Sequence, residues 1–299
     1  MRKHPILYGL LLLIAAGCLI FLTAYGFVFF MGGEKTLSAG DKIAIVSVEG
    51  VIADARKVIE DLESHEDARD VKAIIIRVNS PGGGVVPSQE IYDKILSVRK
   101  KKKVIVSMGA VAASGGYYLA AAADKIVANP GTITGSIGVI IQFSQFQELM
   151  DKIGLKARII KSGKYKDVGS PLREMNPEEA ALIQSVTDDI HRQFIDAIAN
   201  GRNMPVEKVE SFADARIFTG RQALEYGLVD ELGSLDHAIK LAADLAGIKG
   251  EPEVIYPKKK TSLLRYILSE TFSEISEFMS ENGTGIQYLY TGGEDRMGL

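Results

Sequence analysis

Ala73-Ile74-Ile75-Ile76-Arg77-Val78-Asn79-Ser80-Pro81-Gly82-Gly83-Gly84 is a short β-branched run that ends in a serine, a proline and three consecutive glycines. A run this short, bounded by turn residues, reads as a buried strand. Upstream, Ile43-Ala44-Ile45-Val46-Ser47-Val48 has the same character, and Asp54 to His65 between the two reads as a helix. Downstream, a helical pattern from Pro87 to Lys100 leads into the strand Val104-Ile105-Val106-Ser107. Strands and helices alternating at this pace predict βαβ units around a mainly parallel sheet, so the fold class is α/β.

The remainder of the chain bounds what such a sheet can serve. Its 299 residues suffice for one large domain or two ordinary ones. Lys and Arg number 35 against 38 Asp and Glu, a formal net charge of −3, so no basic field points to nucleic acid. With 46% hydrophobic and 24% charged residues, wholesale disorder and fibrous repeats are excluded. The single cysteine, Cys18, excludes intrachain disulfides and Cys-cluster metal sites. His4, His65, His191 and His237 are the histidines, and no two have metal-binding spacing on a helix. No cofactor is expected.

Pro5 to Gly33 carries no charged side chain, and the stretch from about Leu10 to Phe30 is long enough to cross a bilayer as a helix. Arg2 and Lys3 precede it, which predicts a cytoplasmic N-terminus and an extracytoplasmic body. A cleaved secretory signal has a shorter apolar region, so residues 1–33 read as a retained single-pass membrane anchor. Ala15-Ala16-Gly17-Cys18 has the look of a lipoprotein box, but the apolar run continues past it and Cys18 reads as an ordinary small helix residue.

Toward the other end, Asn176-Pro177-Glu178-Glu179 offers a cap, a first-turn proline and two acids for a long helix reaching Ala199. Thr219 to Tyr226 and Leu235 to Ala246 read as helices that close the domain. In residues 251–299, Leu264, Ile267, Leu268, Phe272 and Ile275 recur at helical spacing, and Asn282 to Leu299 reads as a flexible tail. The basic run Arg99 to Lys103 reads as a solvated helix end, where cations suit the dipole.

Two glycine-rich segments follow predicted strands: Asn79 to Gly84, and Gly109-Ala110-Val111-Ala112-Ala113-Ser114-Gly115-Gly116. Neither matches a phosphate-binding loop or a dinucleotide fingerprint. Ser114 precedes a helix beginning near Gly115, where free N–H groups favour negative charge, a seat for a nucleophile and its oxyanion. A serine needs a base, and no histidine adjoins these loops. The other solution is a lysine whose charged form is disfavoured by burial. Candidates cluster in Lys161-Ser162-Gly163-Lys164-Tyr165-Lys166-Asp167, between a predicted strand at Ala157 to Ile160 and the long helix. Residue chemistry does not choose among Lys161, Lys164 and Lys166.

Several stretches together resemble the signal peptide peptidase A family in its short, single-copy form. They are Asn79 to Gly84, Ala112-Ala113-Ser114-Gly115-Gly116-Tyr117-Tyr118, Ala122-Ala123-Asp124-Lys125-Ile126 and Thr134-Gly135-Ser136-Ile137-Gly138-Val139. Gly163 to Asp167, Asp214 to Ala223 and Gly227 to Gly233 continue the match, which covers roughly residues 40 to 250 in order and spacing. The resemblance implies the ClpP/crotonase-like fold, with a peptidase domain over residues 34–250. It further implies a serine endopeptidase with a Ser-Lys dyad: Ser114 as nucleophile, Lys166 as general base and Ser136 orienting the lysine. Gly83 would supply one oxyanion donor, and Ser114 or Gly115 the second. A ring-like homo-oligomer is implied as well, the serine of one copy meeting the lysine of its neighbour, with signal peptide remnants and other apolar extended peptides as substrates. Tyr117, Tyr118 and Val85-Val86 either line apolar subsites or pack inside the domain.

The competing readings are a crotonase-like acyl-CoA enzyme, a ClpP-type triad and an inactive membrane-anchored scaffold. The first would need a carboxylate near its thioester, and the second lacks a histidine after Ser114 before His191. The third has no use for Ser114, Lys166, Ser136 and Gly83 together.

Overall fold

Ile74, Ile75 and Ile76 are all fully buried in the computed structural model, so both faces of their strand are covered, as in a central parallel strand. That strand, β2 (Val71–Ser80), lies between β1 (Lys42–Glu49) and β4 (Lys103–Ala113), and both pairings are parallel. Ile45, Ile75 and Ile105 form one row across the three strands, and Val46, Ile76 and Val106 the next. Successive side chains point to opposite faces, so the rows alternate between two cores. The first packs against Ala238 and Ala242 of α8 (Leu235–Ala246). The second meets α1 (Arg56–Glu66), α2 (Val85–Arg99) and the C-terminal half of α5 (Pro177–Arg202).

The structure describes residues 16–23, 40–257 and 287–289. The chain divides into two units, Met1–Gly40 and Asp41–Leu299. In the first, residues 16–23 are helical and exposed, and no helix among the described residues is long and apolar enough to cross a membrane. The rest of the expected anchor, and the apolar stripe from Leu264 onward, lie outside the described residues.

In the second unit, an eight-stranded sheet among the described residues is mixed but mainly parallel. The α/β expectation stands. β9 (Glu253–Ile255) borders β1, and on its edge away from β2 the strand β4 has two partners along its length. Its first half pairs with β5 (Lys125–Ala128), which carries β8 (Glu231–Leu232). Its second half pairs with β6 (Ile133–Gly135), which carries the antiparallel β7 (Ile217–Thr219).

Helices follow their local signals closely. At the start of α5 the Asn176 side chain accepts from the Glu179 amide at 2.9 Å while Glu179 accepts from the Asn176 amide at 3.1 Å, a reciprocal cap. The basic run after α2 is structural as read: Arg99 donates to the Ala122 carbonyl, and Lys102 to those of His65 and Ala68.

Three expectations differ. The segment from Gly109 to Ala113, read as loop, continues β4, because Val111 to Ala113 find a second partner in β6. Ala157 to Ile160, read as a strand, is irregular and exposed, having no neighbouring strand to complete a ladder. Residues 287–289, within the presumed flexible tail, form a strand, β10 (Gln287–Leu289), antiparallel to β3 (Gly82–Gly84).

Candidate active site

β4 ends at Ala113 and α3 (Gly115–Ala120) begins two residues later, so Ser114 alone makes the turn between them. It does so with φ 53° and ψ −118°, a conformation costing a side-chain-bearing residue about 1–3 kcal/mol. The surroundings hold it there. Its amide donates to the Gly135 carbonyl at 2.8 Å and its carbonyl accepts from Tyr118 N–H at 2.8 Å. Ser114 is 1% exposed, and its Oγ is buried with no hydrogen-bond partner among the described residues.

Tyr117 and Tyr118 pack inside the domain and anchor α3. The Tyr117 hydroxyl donates to the Leu228 carbonyl at 2.9 Å, and complete burial pushes its pKa up. The Tyr118 ring lies 5.1 Å from that of Tyr92 and 5.0 Å from that of Phe194, and burial raises its pKa to about 12. Val85 is buried too, whereas Val86 is exposed.

The triplet Gly82–Gly84 lies against the start of α3. A Cβ on Gly115 would come within 2.5 Å of Ser88 Oγ and 3.3 Å of the Gly83 nitrogen, which puts Gly83 N–H beside Ser114 and Gly115. The flanking amides are engaged: Gly82 N–H donates to Ser80 Oγ at 3.1 Å and Gly84 N–H to the Ile52 carbonyl at 2.8 Å. A Cβ on Gly83 would run into the backbone of Ile52, so only glycine fits. Ser88 Oγ donates to the Gly84 carbonyl at 2.8 Å and braces the triplet from α2. Ser80, Ser88 and Ile52 were not legible as site residues, since nothing in their spacing distinguishes them from ordinary helix and loop positions.

Ser136 reaches the same place from another strand. Ala113 pairs with Gly135, so Ser114 and Ser136 follow at adjacent strand ends. Ser136 has φ 52°, is buried, and is held by its amide donating to the Arg216 carbonyl at 2.8 Å. Arg216 and its ion-pair partner Asp214 belong to the 214–223 stretch noted in the sequence, which thereby borders the site.

The 161–167 segment has a different setting. Lys161 is ion-paired to Asp167, and Lys164 to Glu178, which also accepts from the Tyr165 hydroxyl. Lys166 is exposed and has no partner among the described residues; its amide closes a turn onto the Gly163 carbonyl at 3.2 Å. Arg173, with Lys161, holds the Asp167 carboxyl well below the usual carboxylate range. Within the chain, Ser114, Gly115, Gly83 and Ser136 come together, and Lys166 does not hydrogen-bond to Ser114.

A buried, unpaired hydroxyl at the start of a helix, next in the chain to a glycine packed against the Gly83 nitrogen, can attack a carbonyl once a base is supplied. An extended chain already lies on the same edge, because β10 pairs Tyr288 with Gly83 and lies beside α3.

Comparison with known proteins gives the same direction. The model of peptidase family S49 matches residues 97–249, and that of Clp protease matches residues 37–133. A Synechocystis sp. protein named as a protease is 48% identical over 213 residues, covering 71% of this chain and 76% of the relative. An Enterococcus faecium protein named as a signal peptide peptidase is 36% identical over 69% of this chain and 65% of its own. The chloroplastic serine protease SPPA of Arabidopsis thaliana is 36% identical over 85% of this chain, which spans 38% of that longer protein.

Proposed function

The chain belongs to peptidase family S49 and is a serine endopeptidase, and from that premise we propose that Ser114 is its nucleophile and Lys166 its general base, acting on extended apolar peptides. The observation that carries the reading is the buried, unpartnered Ser114 Oγ on a left-handed backbone beside Gly83. In the first step the Lys166 amine takes the Ser114 proton while Oγ bonds to the peptide carbonyl carbon. The negative oxygen that results is met by the N–H groups of Gly83 and Gly115. Collapse of this intermediate breaks the C–N bond, and the lysine proton goes to the leaving amine. A water, deprotonated by the same amine, then attacks the ester carbonyl; the C–Oγ bond breaks, the acid product leaves, and the lysine proton returns to Ser114 Oγ.

The choice of Lys166 is supported by the pairing pattern, since Lys161 and Lys164 are committed to carboxylates and Lys166 is not. Ser136, one strand over from Ser114, is placed to orient the lysine. Lys166 would arrive from a second copy of the chain in a ring-like homo-oligomer. Supporting this, the segment leading to it exposes Phe146, Leu149, Ile153, Leu155 and Ile160, an apolar surface that suits contact between copies. Covering an amine also favours its uncharged form.

Antiparallel pairing of β10 with the glycine triplet supports an extended peptide as ligand, bound by strand addition. Val51 and Val86, both exposed in the chain segments that adjoin Ile52 and Gly84, favour apolar residues in the ligand. Signal peptide remnants have this character, and the uncharged stretch from Pro5 to Gly33 would keep the enzyme at the membrane where they are released. The test is labelling of the full-length protein with a serine-directed fluorophosphonate, mapped by mass. Modification at Ser114, with peptide turnover abolished in Ser114→Ala and Lys166→Met, is the expected result. Modification elsewhere, or turnover in either variant, would overturn the dyad.

A further inference from the structure

We propose that Arg173 is a positioning residue for the general base: by occupying the Asp167 carboxylate it keeps that carboxylate off the neighbouring Lys166 amine. The inference rests on the assignment of Lys166 made above. Arg173 Nε donates to Asp167 Oδ2 at 2.7 Å and Nη2 to the Asp167 carbonyl at 3.3 Å. The other edge of the guanidinium donates to Glu179, at 2.8 Å from Nη1 and 2.5 Å from Nη2. Glu179 is 2% exposed and is itself bound into the cap of α5. The planar fork therefore ties the base-bearing turn to the first turn of α5, a two-sided contact that only arginine makes rigidly.

Asp167 follows the base directly in the chain, and a free carboxylate beside an amine favours its charged form, which cannot accept the serine proton. The charged and titratable groups around Lys166 are Lys161, Lys164, Tyr165 and Asp167 on its own segment, Arg173 on the next connection, and Glu178 and Glu179 on α5. Glu178 is engaged by Lys164 and Tyr165, and Glu179 by Arg173. Asp167 is engaged by Lys161 and Arg173. On the Ser114 side, Gly83, Ser88, Gly115 and Gly135 carry no ionisable group, and the Asp214 and Arg216 side chains that border Ser136 are paired with each other. Loss of Arg173 would thus free Asp167 Oδ2 next to the base, while Lys161 stays on Oδ1 and the Asn176 amide stays on Glu179.

The experiment is the pH dependence of kcat for the detergent-solubilised full chain on an extended apolar peptide. In Arg173→Gln, kcat near neutral pH should fall at least about tenfold, and its rise with pH should move alkaline by about one unit, with KM little changed. Arg173→Lys should recover part of the rate. Arg173→Gln with Asp167→Asn should return the profile to its original position, which a merely structural role would not do. An undisplaced profile in Arg173→Gln, or a displaced one in the double variant, overturns the proposal. Should Arg173→Gln fail to fold, Asp167→Asn alone decides: a profile at or below the original pH supports the proposal, and an alkaline displacement overturns it. Turnover by Lys166→Met would instead remove the base assignment and this role with it, whereas an inactive Lys166→Met with an undisplaced Arg173→Gln profile removes the role of Arg173 alone.

Discussion

The Ser114 amide donates to the Gly135 carbonyl at 2.8 Å, so the turn that carries one serine is bonded to the residue that precedes the other. Ser114 and Ser136 both adopt positive φ at adjacent strand ends. Their relative placement is set by the β4–β6 ladder and does not depend on a lysine. The chain thereby holds Ser114, the glycine triplet and Ser136 as one rigid group.

Replacing Ser136 separates positioning from folding. Ser136→Ala and Ser136→Gly should each lower kcat by about ten- to a hundredfold, the worth of one hydrogen bond to a charged group. The glycine variant should melt at or above the temperature of the alanine variant, because only glycine is unstrained at φ 52°. Equal rates for Ser136→Ala and the unaltered enzyme would remove this residue from the mechanism.

At the two glycines the obstacle differs in kind. A methyl at Gly115 meets the Ser88 hydroxyl at 2.5 Å, so Gly115→Ala should destabilise by about 1–3 kcal/mol and Ser88→Ala should relieve part of that loss. A methyl at Gly83 meets the Ile52 backbone, which no side-chain change relieves. Thermal melts of the three single variants and of the two double variants check the contrast; rescue of Gly83→Ala by Ser88→Ala would contradict it.

β10 lies on the strand edge that an added peptide would need. Deleting residues 287–299 should lower KM for an extended peptide several-fold and leave kcat nearly unchanged. Steady-state kinetics of the shortened and full chains measure this directly. An unchanged KM would mean that the tail does not compete for the edge.

Arg173, foremost, depresses the pKa of Glu179 from its ordinary 4.5. A depressed carboxylate contributes stability that is present above its ordinary value and lost as pH falls through the folded one. The melting temperature should therefore decline below about pH 4.5, and Glu179→Gln, which keeps the helix cap but not the charge, should flatten that decline. Parallel curves for the two proteins in melts across this range would argue that other groups dominate acid unfolding.

Local patterns in the chain carried the central strands, because β-branched runs bounded by glycine and proline leave few alternatives. The Asn176 cap was equally legible, its partner lying three residues away. Ser114 was visible as the residue before a helix in a glycine-rich stretch. The extent of β4 was not, since Val111 to Ala113 become strand only by pairing with Ile133 to Gly135.

By itself, then, the order of residues determined an α/β sheet, the family resemblance, a candidate nucleophile in Ser114 and a cluster of three candidate lysines. Tertiary structure decided which of them is uncommitted, because Lys164 is held by Glu178 at the start of α5 and Lys161 by an aspartate that Arg173 fixes in place. It also decided that Tyr117 and Tyr118 belong to the core and that residues 287–289 lie along the glycine edge. Strand and helix propensity act over a few neighbouring residues and can be read in order along the chain. Ion pairing, burial and strand addition depend on partners that only the folded chain brings within reach.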